Sequence, residues 1–176
     1  YQTKIQRLQS NTSPHLILLK YEAQAATVRS VVVVPKRFFV DSIVERRKPL
    51  APTARRAGWV GSNILIGLVP AAGRIQVVKD DVTRPREAIL TEWQKPAFLD
   101  KQPQSAKGWL VDVMSCVDRL GAQGFSLDDV YRFETYLSGL YPENNNVRPK
   151  IRQQLQVLRD NGYLEFLGGG HYRLAR

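Results

Sequence analysis

Three observations predict an α+β protein in two units. Hydrophobic spacing changes along the chain: apolar runs of strand length dominate its first part, and helical spacing takes over after Lys107. Charge is unevenly divided, with 17 Lys and Arg against 8 Asp and Glu in residues 1–104 but 9 against 8 in residues 105–176. The stretch Asp100-Lys-Gln-Pro-Gln-Ser-Ala-Lys107 is polar and loop-like, so the units divide there, into 1–104 and 105–176.

In the first unit, residues 1–10 suit a helix end with Ile5 and Leu8 on one side. His15–Tyr21 and Val28–Val34 are strand-like runs bounded by turn residues. The four consecutive valines lack alternation, which predicts a strand buried on both faces. Lys36–Val44, a proline-rich loop, the short run Ile64–Val69 and a strand at Arg74–Val78 follow, with Asp80-Asp81 as the turn after it. So few strands make a poor free-standing domain, and the unit reads as the back half of something larger.

The loop from Arg46 to Asn63 is the most informative segment. It holds five cations, no acid, two prolines, two glycines and one tryptophan. Pro49 and Pro52 exclude a regular helix. Gly58 and Gly61 let the backbone bend, or approach a ligand, on either side of Trp59. Cations around one aromatic ring suit a polyanion that also offers a flat face, and nucleic acid meets both conditions.

Helical spacing is clear in the second unit. Trp109, Val113, Cys116, Val117 and Leu120 predict an amphipathic helix over Lys107–Leu120, ended by Gly121 and Gly124. Ser126 with Asp129 three residues on forms a capping box. One helix is expected after it, with Val130, Phe133, Leu137 and Leu140 inward. The next starts near Asn146, tolerates Pro149 in its first turn, buries Val147, Ile151, Leu155 and Leu158, and stops at Asn161-Gly162. Tyr163–Leu167 and His171–Leu174 flank three glycines and read as a hairpin. Three helices then a hairpin is the order of a winged helix, whose later helix enters the major groove of DNA. The outer face of that helix carries Arg148, Arg152, Gln153 and Gln156, with Asn146 at its start and Lys150 to one side; Arg suits guanine edges and Gln suits adenine. His171 and Tyr172 are the candidate contacts of the wing.

Composition agrees with these readings. Hydrophobic residues make up 43% of the 176, enough for a real core, and the net charge of +10 calls for an acidic partner, nucleic acid or an anionic membrane. No apolar run approaches the ~20 residues of a membrane span, and no secretory signal opens the chain. Cys116 is the only cysteine, has apolar neighbours and reads as a buried core thiol. With His15 and His171 it cannot complete a structural zinc site. A start at Tyr1 rather than Met suggests a fragment.

Contiguous stretches carry a family likeness. Arg47–Ile64, Val130–Glu134 (Val-Tyr-Arg-Phe-Glu) and Ile151–Phe166 closely resemble the DpnI-like methyl-directed restriction endonucleases, the Dam-replacing protein family, and weaker similarity runs from end to end. The resemblance implies the C-terminal part of a PD-(D/E)XK-type nuclease domain followed by a winged-helix domain. It implies a double-stranded DNA partner carrying N6-methyladenine in GATC. Trp59 matches the tryptophan beside the methylated base, with Arg55, Arg56, Ser62 and Asn63 as neighbouring base or phosphate contacts. An aromatic face can cover the added methyl group with little loss to water. The opposing expectation is that Trp59 is a core anchor.

Such a nuclease needs an acid two residues before a lysine, because its carboxylates hold Mg²⁺ at the scissile phosphate. The residues two before each lysine are Gln2, Leu18, Val34, Arg46, Val77, Trp93, Leu99, Ser105 and Arg148, none acidic. Glu22-Ala-Gln24 and Glu92-Trp-Gln94 mimic a glutamine variant but read as surface acids. By resemblance, the Mg²⁺ motif and a cysteine zinc site lie upstream, so this stretch is expected to have no catalytic residue and no metal of its own. A monomeric, cytoplasmic, prokaryotic protein is the accompanying expectation. The alternatives are a stand-alone winged-helix transcription regulator, and a basic RNA- or membrane-binding protein without base specificity.

Overall fold

Residues 1–10, 12–121 and 124–175 are described by a computed structural model. Helix α1 (Gln2–Gln9) leads into strands β1 (Leu16–Glu22) and β2 (Thr27–Val34). Two single-turn helices, Lys36–Phe38 and Asp41–Ile43, then lead to β3 (Val44–Arg46). Next come β4 (Ser62–Ile64), β5 (Ile75–Lys79), β6 (Val82–Thr83) and helix α2 (Arg86–Gln94). A 3₁₀ stretch over Lys95–Lys101 leads to α3 (Gln104–Leu120). The rest is β7 (Phe125–Ser126), α4 (Leu127–Tyr131), α5 (Glu134–Leu140), α6 (Val147–Asp160), β8 (Leu164–Gly168) and β9 (His171–Leu174).

Strands β1-β2-β5-β6 form an antiparallel sheet in that order, β3 and β4 form a separate pair, and β7-β9-β8 form the sheet of the winged helix. Asp80 and Asp81 make the β5–β6 turn at φ of 50° and 66°, the left-handed region that Asp tolerates better than most side chains. Five of these elements escape sequence reading. β3, β4, β6 and β7 run two or three residues, too short for a period to show, and α2 fully buries no side chain, so its apolar stripe is weak.

Two expectations about burial are corrected. The quadruple valine was expected to be enclosed on both faces, yet only Val34 is buried and Val31–Val33 are half-buried. Val33 and Val31 pair with Ile17 and Leu19, which are 62% and 60% exposed, so that face of the sheet stays open among the described residues. The expected amphipathic helix, α3, is instead buried on every side from Trp109 to Val117, Asp112 and Ser115 included. It runs between the turn at Asp41–Ile43 and helices α4 and α6, so no face is left for solvent. The apolar core is continuous from Val34, Phe38 and Val69, through α3, to Leu155 and Tyr172.

A buried carboxylate fastens this helix at both sides. The Ser42 hydroxyl donates to one oxygen of Asp112 and the Tyr141 hydroxyl to the other, each at 2.6 Å. Burial pushes the Asp112 carboxyl above its usual range, with the two hydrogen bonds opposing. Asp118, further along the same helix, accepts from the Ala71 amide and the Tyr163 hydroxyl. Cys116 lies fully buried, as expected, and burial pushes its thiol up to about 12, so it is inert as a nucleophile at neutral pH.

The winged helix follows the sequence reading closely. Ser126 and Asp129 form the complete capping box. Gly121 ends α3 at φ 88° and Gly162 follows α6 at φ 70°. The single helix expected after Ser126 is broken at Phe133 into α4 and α5. Val130 and Leu137 are buried on either side of the break and Phe133 and Leu140 pack against the core, so the apolar spacing runs through it unchanged.

Tyr141→Phe removes a donor from a carboxylate that stays buried, and is expected to cost about 1–3 kcal/mol, read as a lower urea midpoint at unchanged m-value. Because the folded protein holds Asp112 at a raised pKa, its contribution is fully present below the unfolded-state pKa and is lost as pH rises through the folded value. Asp112→Asn is therefore expected to remove this fall in stability with rising pH, read as a steeper net rise of unfolding free energy across the acid range in urea titrations at several pH values.

Candidate nucleic-acid interface

The basic loop hangs from the β3–β4 pair, in which Val44, Glu45 and Arg46 face Ile64, Asn63 and Ser62. Backbone bonds continue past the ladder. The Arg47 amide donates to Gly61, Leu50 to Trp59, and Gly58 to Leu50, at 3.0–3.1 Å. Gly58 makes its turn at φ 76°, where a Cβ would be strained. The loop is thus an ordered extension of a hairpin, although its composition reads as irregular.

Trp59 is 50% exposed, which overturns the core-anchor expectation. Its ring lies over Gly61: a Cβ built on Gly61 would come within 2.9 Å of the indole Cζ3. Trp59, Gly61 and Ser62 line a cavity of about 560 Å³ together with Phe39, Lys4 and Arg7. Arg55 and Arg56 are exposed on the loop, and Ser62 is half-buried. The Asn63 amide donates to Glu45 at 2.8 Å, which holds it on the hairpin. Among the described residues, none of the five loop cations makes an ion pair, so their charge is uncompensated. The part of the lining from α1 and Phe39 was not foreseen, since nothing local to them links them to Trp59.

Helix α6 turns Val147, Ile151, Leu155 and Leu158 inward. Arg148, Arg152, Gln153 and Gln156 are exposed and together line a shallow cleft, while Asn146 is exposed at the helix start. Arg148 is held by Glu134 at 2.8 Å and lies 5.1 Å from the Tyr131 ring centre; Glu134 belongs to the quoted Val-Tyr-Arg-Phe-Glu segment, but its partner was not foreseen. Lys150 donates to Gln153 at 2.8 Å. On the hairpin, His171 is exposed, but Tyr172 is corrected: it is buried against Phe125 and Phe166. Strand alternation sends His171 and Arg173 outward and Tyr172 inward. Arg173, which sequence reading missed, is exposed and pairs with Glu165 at 2.7 Å.

No three His, Cys, Asp or Glu side chains among the described residues are placed to hold a metal ion, so this set does not fit the Mg²⁺ or Zn²⁺ that the resemblance implies. Glu22 and Glu92 are engaged by Arg29 and Arg84. No helix among the described residues is long and apolar enough to cross a membrane.

An uncompensated cationic hairpin loop and a winged helix with an Arg- and Gln-rich outer face define a DNA-recognition protein. Residues 1–102 match the family model described as the Dam-replacing family, and residues 105–174 match the Dam-replacing HTH domain. The chain belongs to the Dam-replacing family, a family of restriction endonucleases with methylation-dependent DNA recognition.

Gly61→Ala is expected to displace the Trp59 indole, seen as a shift of its N–H resonance in a ¹⁵N-labelled spectrum. Gly67→Ala, where an added Cβ meets nothing within 4 Å, is expected to leave that resonance in place.

Proposed function

We propose that this chain binds double-stranded DNA at N6-methylated GATC and supplies the recognition part of a type II restriction endonuclease. The observation that carries the reading is the half-exposed Trp59 ring, backed by Gly61 at a cavity, on a loop whose cations make no ion pair among the described residues. Phosphate contacts from Arg55 and Arg56 set position, and the indole covers the methyl group that base pairing leaves in the groove. Ser62 lines the same cavity as the ring, and Asn63 follows it on β4. The division into units at residues 104 and 105 gives two reading heads, the loop and α6. In the second, Asn146, Arg148, Lys150, Arg152, Gln153 and Gln156 contact the groove, and His171 contacts the backbone beside it. Such a chain acts as a monomer in a prokaryotic cytoplasm.

Cutting requires chemistry that these residues do not assemble, since no lysine follows an acid at the needed spacing. Incubated with Mg²⁺ and methylated GATC duplex, this polypeptide is expected to leave the DNA intact; chelator-sensitive cleavage would sink the assignment.

Covering one methyl group contributes about 0.8 kcal/mol, roughly fourfold in affinity. Trp59→Ala is therefore expected to lower the ratio of affinities for methylated over unmethylated duplex at least fourfold per methyl group, measured by titration calorimetry. An unchanged ratio removes Trp59 from the reading. Arg152→Ala is expected to cost about 1–3 kcal/mol and relax preference at one base position. A loss uniform across sequences would make Arg152 a phosphate contact.

A further inference from the structure

A second cavity, of about 490 Å³ and more enclosed than the one beside Trp59, lies at the start of α3. Ser13, Lys36, Arg37, Asp100, Gln104 and Lys107 are among its lining residues, three cations to one carboxylate. Two of these side chains are deeply buried yet incompletely bonded. Arg37 is 5% exposed and its Nε has no partner among the described residues; Ser13 is 7% exposed and its Oγ has none either. Buried donors are rarely left so, because each forgoes water without a replacement.

Arg37 cannot turn away to find one. Its Nη1 donates to the Trp93 carbonyl at 3.1 Å, its Nη2 pairs with Asp100 at 3.2 Å, and its guanidinium lies 5.3 Å from the Trp93 ring centre. Helix α3 adds field of the same sign. It runs 17 residues, begins with Pro103 in the capping position, and has neither a side-chain cap bond nor an acid in its first turn. Its positive end is therefore open to an anion. Burial, joined by the charges of Lys36 and Arg37, holds the Lys107 ammonium below its usual range, while Asp100 opposes. Positive potential is concentrated here in a sheltered cavity that shares Leu8 and Phe39 with the one beside Trp59.

We propose that this cavity binds a phosphate-class oxyanion, with Arg37 Nε and Ser13 Oγ as donors and Lys36, Lys107 and the start of α3 supplying the attractive field. The anion joins residues before β1, the turn after β2 and the first turn of α3, so its binding fastens the first unit to the helix that begins the second. The inference does not rest on the reading of methylated DNA.

The test is thermal melting of the chain with millimolar inorganic phosphate against sodium chloride at equal ionic strength. A saturable rise in Tm specific to phosphate is expected, as ligand binding to the folded state requires. Lys107→Gln is expected to weaken the apparent affinity about tenfold, the scale of one charge-assisted bond. Ser13→Ala is expected to weaken it too, while raising the Tm of the phosphate-free protein by deleting an unbonded hydroxyl. Lys79→Gln, on the far end of β5, is expected to change neither. A DNA duplex that leaves the phosphate effect intact identifies a free anion as the occupant. A duplex that displaces phosphate, and binds more weakly to both Lys107→Gln and Ser13→Ala, identifies a DNA phosphate in the same site. No phosphate effect beyond chloride, or one that survives equally in both variants, overturns the proposal.

Discussion

The carboxylate of Asp112 is the point on which the arrangement turns. Ser42, which donates to one oxygen, lies in the turn that launches β3 and therefore the basic loop. Tyr141, which donates to the other, opens the turn that aims α6. One side chain on a helix enclosed from Trp109 to Val117 thus fixes the roots of both recognition elements. A buried acid is an expensive way to make a joint, and two apolar residues could fill the space at less cost. What the acid adds is direction, because each donor must sit at one distance and angle. Packing alone would let the two units slide.

Charge is allotted differently in the two units. The loop leaves its cations unpaired on a scaffold held by backbone hydrogen bonds, which keeps a strong field available for a polyanion. The winged helix restrains Arg148 and Arg173 with Glu134 and Glu165, so its cations are oriented more than they are concentrated. An oriented guanidinium suits base edges, whereas an unrestrained one suits phosphates. Net charges of +9 and +1 in the two units express the same division in composition.

Much of the second unit was legible because its signals are local. Ser126 and Asp129 are three residues apart, and Asn161-Gly162 abuts the helix it ends. The failures are nonlocal. Spacing could not reveal the break at Phe133, because the apolar stripe continues through it. It could not tell an amphipathic α3 from an enclosed one, since Asp112 and Ser115 look solvent-facing until Ser42 and Tyr141 are brought to one of them. Four valines in a row look doubly buried until a sheet face is found uncovered. Tyr172 was assigned to the wing's surface although alternation places it inside. In the candidate site, Trp59 and its flanking glycines stood out, but α1 and Phe39 also line the cavity, and only the fold brings those to it.

The open sheet face has a consequence for how the molecule behaves in bulk. Ile17 and Leu19 project from an edge strand, a surface prone to join another like it, and Lys20 and Glu22 are the charged residues of that strand, on its other face. Long-range repulsion between molecules of charge +10 opposes that joining in dilute salt. The screening length falls from about 10 Å at 0.1 M to about 3 Å at 1 M, and the repulsion falls with it. Concentrated salt, the usual means of stripping nucleic acid from a basic protein, therefore also removes its protection against self-association. Purity and colloidal stability pull in opposite directions, and an intermediate ionic strength is the condition in which this chain stays both clean and dispersed.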